Sequence, residues 1–377
     1  MNASVIQELV RPEVPGLPPY NAGLSSEAVR SRYGAQHIAR LASNENPFGA
    51  SPMVGRALAD LALRVGTYPD ANCTALRAAI AERTGARAEQ IVIGNGSESI
   101  LQMLCQAFLS AGDRVLTQRP AFGLHEIYPR MMGAKVELLA LTAALEFDLD
   151  AWCEALARGP KMAMVANPSN PVGCMFDAKA FARLLDATPA GTLLVIDEAY
   201  YEYARLASGF PDALAMLREQ SRPWIVLRTF SKAWGLAGLR VGYGIASDAS
   251  LIQWLDRVRT PFNVNEAAQA AALAAWVDTP FMEQAVAETV RQREWMERAL
   301  GALAVPGLRI APSAANFLFI DLARPNGPVN EALLSRGIIV KPWKEPGFEN
   351  FIRVSIGSAD DNARFVRALG EIVDGAA

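Results

Sequence analysis

Residues 162–200 read MAMVANPSNPVGCMFDAKAFARLLDATPAGTLLVIDEAY. Two short apolar runs, Met162–Ala166 and Leu193–Asp197, flank a segment around 177–187 whose apolar residues recur at helical spacing. Short continuous apolar runs suit strands buried on both faces, and a helix between two of them is the crossover that joins parallel neighbours. Each run ends in a polar cluster, Asn167 to Gly173 after the first and Asp197 to Tyr200 after the second. Open α/β sheets bind ligands at the carboxyl ends of their strands, which is where these clusters fall.

The same alternation extends in both directions. Residues 90–94 (QIVIG), 114–117, 134–138, 224–228 and 239–245 read as further strands. Helical patterns begin near Ser97 and lie around 122–132 and 211–220. Strand–helix alternation of this length predicts an α/β fold with a mostly parallel sheet covered on both faces. After Asp248 the texture changes. Residues 248–259, 266–276 and 280–303 look helical, 317–322, 338–341 and 351–355 look like strands, and 359–373 looks like a final helix. The expected organisation is an arm with part of a small domain at 1–40, a large domain at 41–265 and a smaller α+β domain at 266–377. The Pro-rich segment 11–20 disfavours helix and is expected to wrap over the body of the protein.

Composition removes several classes of function. The 377 residues are 51% hydrophobic and 20% charged, the profile of a soluble globular chain. A net charge of −3 offers no basic excess for nucleic acid. No apolar stretch approaches a membrane span, and the N-terminus does not read as a signal peptide. Cys73, Cys105, Cys153 and Cys174 form no CxxC pair, so neither a disulfide framework nor a zinc site is expected, and a cytoplasmic setting fits. With only His37 and His125, a His-rich metal centre is excluded and a Ser/His/Asp triad lacks a supporting motif.

Four stretches carry chemistry. Gly94-Asn95-Gly96-Ser97-Glu98-Ser99 follows a strand and opens a helix, a place where backbone N–H groups attract an anion or where a Ser merely caps a turn. Asn167-Pro168-Ser169-Asn170-Pro171 makes a rigid turn that either presents Asn170 to a ligand or is purely structural. Asp197 ends a buried strand, where a carboxylate is costly unless paired, and Tyr200 lies three residues on. Finally, residues 228–240, RTFSKAWGLAGLR, place Lys232 among apolar neighbours and hydroxyls, with Arg240 eight residues later. Desolvation lowers the pKa of such a lysine and makes its amine usable, while the arginine and hydroxyls suit a phosphate.

These motifs, with Pro19-Tyr20, Asn44-Glu45-Asn46-Pro47, Tyr68-Pro69-Asp70, IDEAYYEY at 196–203 and IRVSIGS at 352–358, resemble the fold-type I pyridoxal-phosphate (PLP) aminotransferases, and among them the histidinol-phosphate aminotransferase family. The match runs almost end to end. It implies a PLP-transferase large domain with a mostly parallel sheet and a smaller α+β domain. It also implies that Lys232 holds the cofactor as a Schiff base and then moves a proton, so that Lys232, Asp197 and Tyr200 are the catalytic group. Asp197 would keep the pyridine nitrogen protonated. Asn170 and Tyr200 would bond the phenolic oxygen, and Phe122 would stack on the ring. Gly96, Ser97, Glu98, Thr229, Ser231 and Arg240 would hold the phosphate, joined by Tyr68 from a partner subunit. Arg353 would grip the substrate's anion, with Tyr20, Asn44, Asn170 and Lys341 around it. Lys341 stands where the family often has Arg, which keeps the charge and loses the fork. His125 either lines the substrate pocket or caps its region.

The resemblance further implies an amino donor, a 2-oxo acid acceptor and a homodimer, with no metal, membrane or nucleic acid. The leading activity is transfer of the amino group of L-histidinol phosphate to 2-oxoglutarate. The alternatives are an aromatic or broad-specificity aminotransferase and, on the same scaffold, a phosphothreonine decarboxylase.

Overall fold

Apolar runs of five or six residues form the centre of the molecule. The computed structural model describes residues 3–18, 23–61, 65–303 and 305–373. Its strands, in chain order, are β1 (Ala39–Arg40), β2 (Ile91–Gly94), β3 (Arg114–Arg119), β4 (Lys135–Ala140), β5 (Met162–Ala166), β6 (Leu193–Asp197), β7 (Trp224–Thr229), β8 (Gly242–Ala246), β9 (Arg309–Ile310), β10 (Phe317–Asp321), β11 (Ile338–Ile339), β12 (Lys341–Pro342) and β13 (Phe351–Ser355). Among the described residues they form three sheets. The largest has the order β2-β8-β7-β6-β5-β3-β4. All its pairings are parallel except the two made by β8, which is antiparallel to both β7 and β2.

Period-two alternation divides this sheet's side chains between two cores. Ala163 and Val165 of β5, Leu194 and Ile196 of β6, and Trp224 and Val226 of β7 enter one apolar cluster. Met162 and Met164, Leu193 and Val195, and Ile225 and Leu227 enter another on the opposite face. Helices cover both faces, which is why these strands carry almost no polar residues until their carboxyl ends.

The strand order reverses between β3 and β5. These two strands pair only at Val115–Met162 and Leu116–Ala163. Beyond that point the Thr117 hydroxyl donates to Met164 O at 3.1 Å in place of a backbone ladder. The carboxyl ends are therefore apart where the topology switches, and a crevice opens there.

The second sheet, β12-β13-β10-β9, is antiparallel and packs against the long helix Thr279–Gly301 and the helix Ala359–Val373. In the third, β1 pairs in parallel with β11. Two expected strands are corrected by these pairings. The run 338–341 is not one strand, because Ile338 and Ile339 pair with β1 while Lys341 and Pro342 pair with β13. The run 239–245 begins only at Gly242, because residues 237–239 form a 3-10 turn and Arg240 is left-handed, with φ of 58°. The helices Ala3–Leu9, Ser26–Tyr33, Pro52–Leu61, Thr74–Thr84 and Leu149–Ala157 have no counterpart among the elements expected from sequence. The arm keeps contact with the body through Arg11, whose guanidinium donates to Met131 O at 2.8 Å.

Candidate active site

The polar clusters at the strand ends converge on two adjoining cavities. The first, of about 180 Å³, is lined by Gly96, Ser97, Glu98, Phe122, Ala166, Pro168, Asn170, Asp197, Ala199, Tyr200, Thr229, Ser231, Lys232 and Arg240. The second, of about 170 Å³, is lined by Ala42, Ser43, Asn44, Phe122, Gly123, Asn170, Tyr200, Lys232, Lys341, Trp343 and Arg353. Phe122, Asn170, Tyr200 and Lys232 belong to both, so the lysine stands at their junction.

One end of the first cavity is built to receive an anion. β2 runs into Gly96 and the helix Ser97–Phe108, whose first N–H groups and dipole favour negative charge. Gly96 has φ of 76°, and a Cβ there would stand 2.6 Å from Arg240 Nη2. A Cβ on Gly242 would stand 2.3 Å from Ser97 N, so glycine is required for β8 to pass this helix start. Arg240 donates to Ser231 Oγ at 3.3 Å and Ala237 O at 3.1 Å, and lies 3.4 Å from Glu98 Oε2. Its left-handed backbone is the kind of strain that surrounding structure must enforce. Thr229 Oγ1 accepts from Ser231 N at 3.1 Å and so shapes the turn into Lys232.

The floor carries the carboxylate. Asp197, buried at the end of β6, accepts from Ala199 N at 3.1 Å through Oδ1 and meets His125 Nε2 at 3.0 Å through Oδ2. With the ionised carboxylate as acceptor, Nε2 carries the hydrogen. Phe122 stands edge-on to the His125 ring, the centroids 5.8 Å apart. His125 is thus a buried support for Asp197 and lines neither cavity, which removes the alternative that it faces the substrate.

Lys232 Nζ donates to Ser43 O at 3.0 Å. Burial above all, with help from the Arg353 and Arg240 guanidinium groups, lowers this amine to about 7 against the opposing pull of Glu45 and Asp197. An amine that loses its proton near neutrality can serve as both nucleophile and base.

In the second cavity Arg353 donates to Asn170 Oδ1 at 2.7 Å and Ala42 O at 2.6 Å. Asn44, left-handed with φ of 55°, donates to Tyr200 Oη at 2.9 Å and accepts from Ser355 Oγ at 2.9 Å. It thereby ties β13 to the end of the β6 loop. Lys341 faces Arg353 across the β12–β13 register, and burial followed by Arg353 and Lys344 lowers its amine to about 8.

One of the expected residues is not part of this assembly. Tyr68 lines neither cavity; it is 82% exposed and stacks on Phe262 with centroids 4.5 Å apart. Tyr20 lies outside the described residues. Conversely, sequence reading passes over Ser43, whose carbonyl takes the lysine's hydrogen bond, and Trp343, which walls the second cavity.

A family model described as aminotransferase class I and II matches residues 36–369. The chain belongs to the class I and II aminotransferases. This aminotransferase is 46% identical over 363 residues to histidinol-phosphate aminotransferase 3 of Rhizobium meliloti (strain 1021), covering 96% of this chain and 97% of the relative. It is 45% identical over 373 residues to histidinol-phosphate aminotransferase 1 of Mesorhizobium japonicum, covering 98% and 100% of the two chains. Among solved structures, histidinol-phosphate aminotransferase from Sinorhizobium meliloti in complex with pyridoxal-5'-phosphate superposes with a TM-score of 0.88 at 28% identity, covering 98% of each chain. Among the described residues no helix is long and apolar enough to cross a membrane.

Proposed function

We propose that this chain is a PLP-dependent histidinol-phosphate aminotransferase of histidine biosynthesis, moving the amino group of L-histidinol phosphate to 2-oxoglutarate. The observation that carries the reading is a lysine amine, lowered to about 7, between an anion cradle with a buried carboxylate on one side and two cations on the other.

The residues fit the cofactor. A phosphate suits the cradle at Gly96, where a Cβ would fill the space beside Arg240, together with Ser97, Glu98 (through its backbone), Thr229 and Ser231. Asp197 is the anion for a cationic ring nitrogen, Phe122 offers a face for the ring, and Asn170 and Tyr200 are polar partners for its oxygen. When bound, PLP supplies a ring that withdraws the electron pair left on the substrate carbon by deprotonation. The chain's own groups do the rest. Lys232 Nζ takes and returns the proton. Arg353, fixed by Asn170 and Ala42, grips the donor's phosphate or the acceptor's carboxylate, and Lys341 adds a second positive charge. Asn44 holds Tyr200 in place. Because one guanidinium serves both anions, the two substrates visit the same cavity in turn. Tyr20 remains assigned to the substrate by resemblance alone.

The same reading makes the enzyme a cytoplasmic homodimer in which Tyr68 reaches the partner's phosphate site. Its support is an exposed tyrosine–phenylalanine stack with no role inside its own subunit's cavities. A division at 40 and after Val277, in place of the expected 265, is likewise proposed. The β1–β11 pairing supports joining the arm to the C-terminal part. The helix Glu266–Val277 packs on Pro52–Leu61 and Thr74–Thr84, which favours placing the second boundary after Val277.

The deciding experiment compares kcat/KM for histidinol phosphate, phenylalanine, tyrosine and phosphothreonine, and analyses the phosphothreonine reaction for decarboxylation. Histidinol phosphate should lead; equality with phenylalanine sinks the substrate assignment. After borohydride reduction, peptide mapping should find the pyridoxyl label on Lys232 and on no other lysine. For the dimer, mixing Tyr68→Phe with Arg353→Ala subunits tests whether each site draws on both chains.

A further inference from the structure

We propose that Trp343 is a specificity-determining residue that selects amino donors carrying a flat ring, and that Arg119 and Glu345 hold it in position across the junction of the two larger sheets. The inference rests on the second cavity being the donor site.

The second cavity has an aromatic side and a cationic side. Phe122 and Trp343 supply the first, Lys341 and Arg353 the second. A donor with a planar ring and an anionic group matches both, and burial of a ring against an indole face is worth more than burial of an aliphatic chain of similar length. Trp343 is a firm wall at its backbone. Its N–H donates to Phe351 O at 2.9 Å, its carbonyl accepts from Asn326 Nδ2 at 2.8 Å, and its ring meets Phe319 edge-on at 5.7 Å.

Trp343 opens the loop between β12 and β13, residues 343–350, and the large sheet catches that loop. Arg119, the last residue of β3, donates through Nη2 to Pro346 O at 3.2 Å and lies 3.9 Å from Glu345 Oε2 through Nε. Phe122 comes three residues after Arg119. The segment that carries one aromatic wall therefore grasps the loop that carries the other, and the Arg119 link sets the separation between the walls. No hydrogen bond of Arg119 to the cavity is needed, so it is a positioning residue.

Glu345 sits in mixed surroundings. Burial raises its carboxyl to about 7 and Glu126 pushes the same way, while Arg119 and the nearby Trp343 indole N–H oppose them. Glu126 is itself paired with Arg130 at 2.7 Å. Above pH 7 Glu345 is ionised and attracts Arg119; below it the attraction is lost.

The test uses the holoenzyme and four donors, histidinol phosphate, phenylalanine, tyrosine and the ring-free glutamate. Trp343→Ala should raise KM for the ring-bearing donors about tenfold, with kcat and the KM for glutamate changed less than about twofold. Trp343→Phe, which keeps a ring, should restore most of the loss. Glu345→Gln and Arg119→Gln should raise the ring-donor KM by about threefold, and Glu345→Gln should abolish its increase below pH 7. Dead-end binding of phenylpyruvate and 2-oxoglutarate to the pyridoxal form, measured by calorimetry, should show the same ring-selective loss in Trp343→Ala. Equal losses for glutamate and the ring donors, or a loss in kcat alone, overturn the proposal. Should histidinol phosphate prove a poor substrate while phenylalanine is a good one, the assigned activity falls, and the ring selectivity of Trp343→Ala still decides this inference.

Discussion

Gly96→Ala places a methyl group where the structure has no room for one. The backbone at this position has φ of 76° and ψ of 162°, a region open to glycine and nearly closed to other residues. Forcing alanine into it costs about 1–3 kcal/mol. The new Cβ also stands 2.6 Å from Arg240 Nη2, so the guanidinium must retreat and its contacts with Ser231 and Ala237 weaken. Hydrogen bonds to a charged group contribute roughly 1.5–3 kcal/mol, which corresponds to about 10- to 100-fold in affinity for a phosphate held by Arg240. The protein should melt roughly 1–4 °C lower, at about 1.3 °C per kcal/mol for 377 residues with an unfolding entropy of about 2.1 cal/mol/K each. Thermal melts of the cofactor-free protein and fluorescence titration with PLP measure the two effects separately. Gly55→Ala is the control, since it lies within the helix Pro52–Leu61 with no atom within 4 Å of its added Cβ. It should be neutral or stabilising by up to about 1 kcal/mol. If Gly96→Ala melts with the control and binds PLP within twofold of the parent, the cradle is not what holds the phosphate.

Three further outcomes are expected. In cofactor-free protein, covalent capture of PLP by Lys232 requires the unprotonated amine, so its rate should rise with pH and reach half its maximum near 7; a midpoint near the ordinary lysine value refutes the lowered amine. Lys341 loses its charge as pH rises through about 8, so KM for anionic donors should increase above that point; Lys341→Arg should remove the increase and lower KM severalfold, as steady-state profiles will show. Arg228→Met leaves buried Glu198, now 2.8 Å from the guanidinium, without a counter-charge and should cost about 3–5 kcal/mol by denaturant unfolding, whereas the double variant with Glu198→Gln should recover most of it; equal losses refute the pairing.

The strands of the large sheet are legible in the sequence because double-sided burial demands continuous apolar runs, and β5 and β6, like β13 of the second sheet, have the expected bounds. The run 338–341 is not, because nothing in Ile-Ile-Val-Lys records that its two halves pair with different sheets. The helix Thr74–Thr84 is hard to read because its N-cap position, Cys73, makes no side-chain cap, whereas Pro52–Leu61 carries a start signal that sequence reading passes over, Ser51 Oγ accepting from Met53 N at 3.0 Å just ahead of Pro52. At the site, Asp197, Lys232 and Arg240 stand out as polar residues at the ends of apolar runs. Ser43 does not, since a carbonyl has no sequence signature and lies 189 positions from the lysine it meets. His125 is visible as one of two histidines, but its partnership with Asp197, 72 positions away, is a product of strands β3 and β6 lying two places apart.

The reversed strand β8 bears on how this enzyme can vary. Thr229 and Gly242 face each other in the β7–β8 register, so residues 230–241 leave and re-enter the sheet at the same edge. Elsewhere in the sheet, successive parallel strands are joined by a passage to the opposite edge and back. Here the chain makes none, and the stretch bearing Lys232 and Arg240 is a cassette with its two stems clamped side by side. It carries amine and guanidinium at their mutual spacing, and because Phe230 and Trp234 pack on Trp276 of the helix Glu266–Val277, an exchange between related enzymes has to keep that aromatic contact.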